Sequence, residues 1–347
     1  MIIAVDVGYS HTKGATDGRR TIFPSVWGEV QQAHFDMDLA TRNGYMQIET
    51  DEGTWFIGDA AIEQSLFQSR RQDRGWIETP EYRALMLAAI TELTGASGVT
   101  INMITGLPVG YFADRGKLVT RMKGTHQVKL AGRHRQRVEV ADVVILPQGL
   151  AAVLAEALDD RGKIRPGPVA EGVVGLLDIG GHTVNVATFN QLKEIATKTT
   201  SIDAGMWGPL TEIGKRINAA FPGQELRGHA IVEAVKAGKI RHYGEERDVS
   251  GIARDVLRTF MRRITDEASQ VWGSTAQLDV LLVAGGGAEV VGPTLADILA
   301  EIRHLPSRLS VVAVTGDSPA VTEGEEPPEA AVNLDGLLGR LGSGDLG

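Results

Sequence analysis

The sequence has no cysteine, which excludes disulfide bridges, thiolate nucleophiles and cysteine-ligated zinc. No apolar run approaches the ~18–20 residues that span a bilayer, so no membrane insertion is expected. The eight histidines are scattered and offer no HxxxH or similar metal spacing. Surplus positive charge is also missing: a formal net charge of −9 argues against broad, nonspecific DNA binding, which needs a basic surface. Direct nucleic-acid binding is therefore not expected, and any contact with DNA would run through an adaptor protein. Met1-Ile2-Ile3-Ala4-Val5-Asp6 lacks a basic region and meets an acid too soon for a signal peptide. It reads as the first core strand of a cytoplasmic protein. What is present is an ordinary globular composition: 347 residues with 43% apolar, enough for two domains with substantial cores.

Two short segments read as copies of one phosphate-gripping turn. The first is Ile3-Ala4-Val5-Asp6-Val7-Gly8-Tyr9-Ser10-His11-Thr12-Lys13; the second is Leu176-Leu177-Asp178-Ile179-Gly180-Gly181-His182-Thr183-Val184-Asn185. In each, an apolar run delivers an Asp, a Gly follows two residues later, and a small polar turn carries a Thr. Such a run bounded by a glycine turn predicts a buried strand. Glycines let backbone N–H groups approach an anion, and an Asp at the strand end can hold a hydrated Mg²⁺ beside it. His11 and His182 are read as occupying matching places, as turn residues whose backbone matters more than their imidazole.

Along the chain, a hairpin is expected from a strand at 2–5 and a second strand from Lys13 to a turn near Asp17-Gly18. Thr79-Pro80-Glu81 starts a helix with Thr as N-cap and Pro at the first helical position, burying Leu85, Ala88, Ala89 and Leu93. A strand is predicted over 99–104, a hairpin over 127–140 around Ala131-Gly132, and a separate strand over 143–146. That strand breaks at Pro147-Gln148-Gly149 before a helix over 150–158. The Gly-, Pro- and charge-rich stretch 159–172 is the expected domain boundary, and the strand-turn-strand pattern restarts at Val173, which suggests an internal duplication. Helices follow over 209–220 and 251–272, the latter with Leu257, Phe260, Ile264, Ala268 and Val271 on one apolar stripe. A buried strand over 280–283 runs into Ala284-Gly285-Gly286-Gly287-Ala288, with a helix from about Pro293, an exposed acidic loop over 323–329 and a frayed tail over 342–347.

Five segments stand in a fixed order: the Asp6 turn, Pro147-Gln148-Gly149, the Asp178 turn, Gly285-Gly286-Gly287, and Ala330-Ala331-Val332-Asn333-Leu334-Asp335-Gly336. This order resembles the ATPase core shared by actin, Hsp70-type chaperones and sugar kinases, and the resemblance spans nearly the whole chain. Within that superfamily the chain is most similar to the prokaryotic actins of the ParM and archaeal actin-like group. The segments that carry this are Asp6 to Lys13 followed by Ile22-Phe23-Pro24-Ser25, Thr105-Gly106-Leu107-Pro108-Val109, Pro147-Gln148-Gly149 and Asp178-Ile179-Gly180. The resemblance implies an α/β fold of two duplicated ribonuclease H-like domains, residues 1–160 with 327–347 and residues 161–326, with the nucleotide in the cleft between them. It also implies ATP and ADP as ligands with Mg²⁺, polymerisation into filaments, and a role in plasmid or DNA segregation or as a cytoskeletal element.

Site roles implied by the resemblance can be placed residue by residue. Asp6 and Asp178 hold Mg²⁺, mostly through water, and Asp178 helps to orient the attacking water. Lys13 matches the family's phosphate-binding lysine. The backbone of Gly8, Tyr9, Ser10, His11 and Thr12, and of Gly180, Gly181, His182 and Thr183, cradles phosphate oxygens. Gln148 stands where actins place the residue that orients the hydrolytic water; an amide positions water rather than taking its proton. Gly285, Gly286, Gly287 and Ala288 let adenosine lie close to the backbone, and Glu212 and Lys215 lie where relatives contact ribose or base.

The rival is a small-molecule kinase of the same superfamily, which needs an acidic general base where this chain has Gln148. A chaperone is disfavoured because nothing after Gly336 could form a peptide-binding domain. Gly208 to Lys215 is not a P-loop: its spacing is one residue too long and Arg216 replaces the required Ser or Thr. The basic run Arg133-His134-Arg135-Gln136-Arg137 reads as a solvated hairpin edge.

Overall fold

A computed structural model describes residues 1–8, 10–30, 46–65, 68–69, 74–95, 98–159, 162–273, 275–288, 290–291 and 310–313. The helix expected from Pro293, the 323–329 loop, the 330–336 segment and the 342–347 tail lie outside the described residues. Backbone proximity divides the chain into two units. Unit 1 comprises Met1–Gln148 with Leu158–Lys163; unit 2 comprises Gly149–Ala157 and the described residues from Ile164 onward.

In unit 1 ten strands form one sheet: β1 (Ile2–Val7), β2 (His11–Thr16), β3 (Arg19–Pro24), β4 (Trp27–Glu29), β5 (Gln47–Glu49), β6 (Thr54–Ile57), β7 (Gln68–Ser69), β8 (Val99–Leu107), β9 (Gly124–Leu130) and β10 (Gln136–Pro147). Their spatial order is β3-β2-β1-β8-β10-β9-β5-β6-β4-β7. The helix α1 (Pro80–Thr94) begins where expected, with the Tyr82 N–H donating to the Thr79 hydroxyl at 3.2 Å, and ends at Gly95 in the left-handed region. It is buried on nearly every side rather than along one stripe, because it rests on β1, β2 and β3 while β5, β6 and β9 also meet it. Leu85, Met86, Leu87 and Ile90 are fully inaccessible there, each worth about 1.5–3 kcal/mol of burial.

The predicted 127–140 hairpin and 143–146 strand differ from the structure in one respect. β10 runs unbroken from Gln136 to Pro147, and its register against β8 shifts between Val140 and Asp142. A bulge absorbs Ala141 without ending the strand, so the chain leaves its hairpin partner β9 and continues beside β8. The basic run after Leu130 is held by ion pairs, Arg133 to Glu92 on α1 and Arg135 to Glu49 on β5.

Unit 2 carries α2 (Leu150–Ala157), which the sequence placed with the first domain, and the strands β11 (Val173–Ile179), β12 (Val184–Asn190), β13 (Lys193–Glu194) and β14 (Thr200–Ile202). The helix α3 (Trp207–Ala220), a hairpin of β15 (Lys239–His242) and β16 (Glu245–Asp248), the long helix α4 (Ser250–Trp272), and β17 (Val280–Ala284) and β18 (Ser310–Ala313) also belong to it. The sheet order is β13-β12-β11-β17-β18, with β14 also on β12. One face of this sheet buries Leu177, Ile179, Val184, Val186, Leu281 and Val283 with α3 and α4. The other buries Leu176, Ala187, Phe189 and Leu282 with Val153 of α2. Burial on both faces explains the continuous apolar runs at β11 and β17. Leu257, Phe260, Ile264 and Ala268 are buried on α4 as the spacing predicts, and Val271 is partly buried beside them.

The duplication is visible in the sheets. β3-β2-β1-β8-β10 and β13-β12-β11-β17-β18 each have two antiparallel pairings followed by two parallel ones. Among the described residues no helix is long and apolar enough to cross a membrane.

Candidate functional site

Within each unit taken by itself, the expected aspartate and the turn after it lie at the carboxyl end of a strand with parallel neighbours, β1 beside β8 in unit 1 and β11 beside β17 in unit 2, where α/β sheets take ligands. Both hairpins close with the same hydrogen bond. The Gly8 N–H donates to the His11 carbonyl at 3.1 Å, and the Gly180 N–H donates to the Thr183 carbonyl at 2.9 Å. A Cβ on either glycine would crowd that same carbonyl, at 3.1 and 2.9 Å, so both positions favour glycine. The registers match too, with Asp6 opposite Lys13 and Asp178 opposite Asn185. They correct one expectation: Ser10, not His11, is the counterpart of His182, because the two turns align from their aspartates.

In unit 1, Gln148 reaches over β8 to donate from Nε2 to Asp6 Oδ1 at 3.3 Å. Gly106 makes that possible, since a Cβ there would lie 3.1 Å from Gln148 Cγ. The Gln148 N–H is itself fixed on the Leu107 carbonyl at 2.7 Å. Asp6 has an open surface, yet the surrounding protein withdraws enough water to hold its carboxyl above the usual range. The Lys13 charge and the Gln148 amide pull in the opposite direction. Thr12 is fully buried and its hydroxyl bonds Ser25 Oγ at 2.9 Å, so its side chain ties β2 to the segment after β3. Ser10 Oγ and His11 Nδ1 are 2.9 Å apart at the turn. Tyr9 lies outside the described residues.

In unit 2, the Met206 and Trp207 N–H groups, at the start of α3, donate to the Gly180 and Gly181 carbonyls, each at 3.0 Å. In a trans peptide N–H and C=O point oppositely, so the amides of Gly181 and His182 face away from α3 side by side. Two adjacent N–H groups aimed alike can both donate to one anion. Gly205 lets the two backbones meet, for its Cβ would fall 2.3 Å from the Gly181 carbonyl oxygen. Sequence reasoning missed Gly205, which stands in no local pattern that marks it, and placed Gly106 in a family segment without assigning it a role. His182 Nε2 lies 3.2 Å from Asp203 Oδ1, and Thr183 is buried.

Asp178 is held from two directions. Asn185 Nδ2 donates to Oδ2 at 3.1 Å, and Oδ1 lies where a Cβ on Gly285 would come within 2.5 Å. Gly287 is equally confined, by Ile179 and Met206, whereas a Cβ on Gly286 would meet nothing within 4 Å. Packing of the protein on itself therefore accounts for Gly285 and Gly287, and Gly286 is the open position of the three. Ala288 is buried in the core, and its N–H donates to the Gly285 carbonyl at 3.0 Å. Glu212 and Lys215 are on α3, with the Glu212 carboxylate accepting from Arg216 Nε at 2.8 Å. Among the described residues no cluster of three or more His, Asp or Glu could hold a metal directly, and the single carboxylates Asp6 and Asp178 suit a cation bound largely through water.

Residues 4–150 match the family model of the N-terminal domain of actin-like proteins, and residues 176–297 match that of the archaeal actin homologue MreB-like C-terminal domain. No curated protein sequence matches the chain at a significant level. Among solved structures, the fold is similar to a non-polymerisable quadruple mutant of pCBH ParM, with 20% identity, 99% of this chain and 98% of that chain covered, and a TM-score of 0.72. A ParM from a 15-stranded filament of Clostridium botulinum is 21% identical over 90% of this chain and 94% of its own, with a TM-score of 0.70. The archaeal actin homologue Ta0583 in complex with ADP is 19% identical over 89% and 92%, also with a TM-score of 0.70.

Proposed function

Because the chain belongs to the actin-like proteins, we propose that it is an ATPase that binds ATP and ADP with Mg²⁺ and self-associates into filaments. The observation that carries this reading is the phosphate turn built twice, each copy with an Asp at the strand end and a glycine hairpin beside it. Under it, the amides of Gly181 and His182 receive phosphate oxygens, with the turn that follows Gly8 and the Lys13 ammonium doing so from unit 1. The carboxylates of Asp6 and Asp178 hold the water shell of Mg²⁺, which neutralises phosphate charge. Gln148, anchored to Asp6, positions water and is a poor base, so hydrolysis is slow and acts as a timer for assembly. The open backbone at Gly286 receives the adenosine. The ADP complex of the archaeal homologue and the ParM filament support nucleotide binding and self-association. Plasmid or DNA segregation through an adaptor protein is the cellular role proposed, with a cytoplasmic location.

Right-angle light scattering of the purified chain with Mg-ATP, Mg-GTP, Mg-ADP or no nucleotide tests this, with electron microscopy of the same samples. A nucleotide-dependent rise with visible filaments, absent in Asp178→Ala, is expected. Nucleotide binding with no assembly at any protein or salt concentration would sink the filament reading, and screening of phosphoryl acceptors would follow.

A further inference from the structure

We propose that Ser201 is a positioning residue for Asp178, acting through Asn185; this role rests on the reading of Asp178 as a Mg²⁺-side carboxylate. The three residues form a row across β11, β12 and β14, since Asn185 stands opposite Asp178 on one side and opposite Ser201 on the other. Ser201 Oγ donates to Asn185 Oδ1 at 2.7 Å, and Asn185 Nδ2 donates to Asp178 Oδ2 at 3.1 Å. An amide has one accepting and one donating end. With Ser201 donating to the oxygen, the NH₂ end is obliged to face the carboxylate. Asn185 is 1% exposed with Ser201 in place, so the hydroxyl stands between its oxygen and the groove.

One carboxylate oxygen of Asp178 abuts the backbone at Gly285, and the bond from Asn185 bears on the rotation of the carboxylate through the other. Unit 1 solves the same problem differently: the residue opposite Asp6 is Lys13, a full charge, whereas the residue opposite Asp178 is a neutral amide. A charge attracts a carboxylate from many directions, but an amide must be correctly turned, and Ser201 turns it. Ser201 also lines a groove between β14 and α4, so its hydroxyl can be removed without opening the packed core.

The experiment compares wild type, Ser201→Ala and Ser201→Thr by kcat, Mg-ADP Kd, Tm, and the Asn185 side-chain amide resonances of the nucleotide-free protein. Ser201→Ala is expected to lower kcat about tenfold, the scale of one lost hydrogen bond. Its Kd should stay within about twofold and its Tm nearly unchanged. The Asn185 amide resonances should shift or broaden in Ser201→Ala, and Ser201→Thr should restore both kcat and resonances. If wild type hydrolyses ATP and Ser201→Ala does so equally well, the positioning role is overturned while the ATPase reading stands. A parallel fall of kcat, affinity and Tm makes Ser201 merely structural and overturns it too. If wild type neither binds nor hydrolyses nucleotide, the ATPase reading fails and the positioning role fails with it.

Discussion

At the scale of single residues, Asp6 couples function to a stability cost. Its carboxyl is held above the usual range by desolvation, so its contribution to stability is fully present below the unfolded pKa and lost as pH rises through the folded value. At neutral pH the ionised group is therefore a net cost, screened in part by its open surface. Nucleotide-free Asp6→Asn should melt no lower than wild type at pH ~8, with the difference shrinking toward pH ~4, while Mg-ATP binding is lost. A lower Tm for the variant at neutral pH would contradict this. Gly205→Ala acts on backbone rather than on a flexible side chain, so it should destabilise by about 1–3 kcal/mol and weaken nucleotide binding, checked by urea unfolding and titration. Asp6 and Asp178 were legible because each ends an apolar run two residues before a glycine. Gly106, Asn185, Ser201 and Gly205 were not, since their roles arise from contacts between segments that no local spacing connects.

At the scale of elements, strand and helix positions followed from punctuation and periodicity, whereas coverage did not. Thr79-Pro80 and Gly95 bound α1 by local chemistry, but burial all round depends on strands far along the chain. Leu87, outside the expected apolar face, is fully buried, and Leu87→Ala should cost about 2–5 kcal/mol in chemical denaturation. A cost below about 1 kcal/mol would mean that the outer side of α1 is open to water. Ala141-Asp142 separates two apolar stretches and so suggests two strands; a bulge, which leaves no composition signal, joins them into β10.

At the scale of the whole molecule, one sheet plan appears twice with little sequence in common outside the turns. Ladder pairing and burial on both faces constrain residue class more than identity, which is why the duplication was legible as a restart of pattern. Ligand that binds only the folded protein raises its stability by about 2.7 kcal/mol at a hundred times Kd. Mg-ADP should thus raise the Tm of wild type but not of Asp178→Ala, as read by calorimetry. Copies that each carry −9 repel one another, so the protein concentration needed for assembly should fall as salt rises from ~0.02 to ~0.15 M. Scattering at several ionic strengths checks this, and an increase would point to ion pairs as the dominant contacts.

The difference between Lys13 and Asn185 divides the duplicated turns in time as well as in charge. A lysine acts at a distance and governs how fast an anion arrives, whereas the buried Asn185 amide acts only through the carboxylate it holds and governs how long the bound ligand stays. Lys13→Gln should mainly slow association and flatten its salt dependence, and Asn185→Ala should mainly speed dissociation, both measurable by stopped-flow with a fluorescent nucleotide. One hairpin plan built with different residues opposite its aspartate would thus supply an attractor in one half and a retainer in the other.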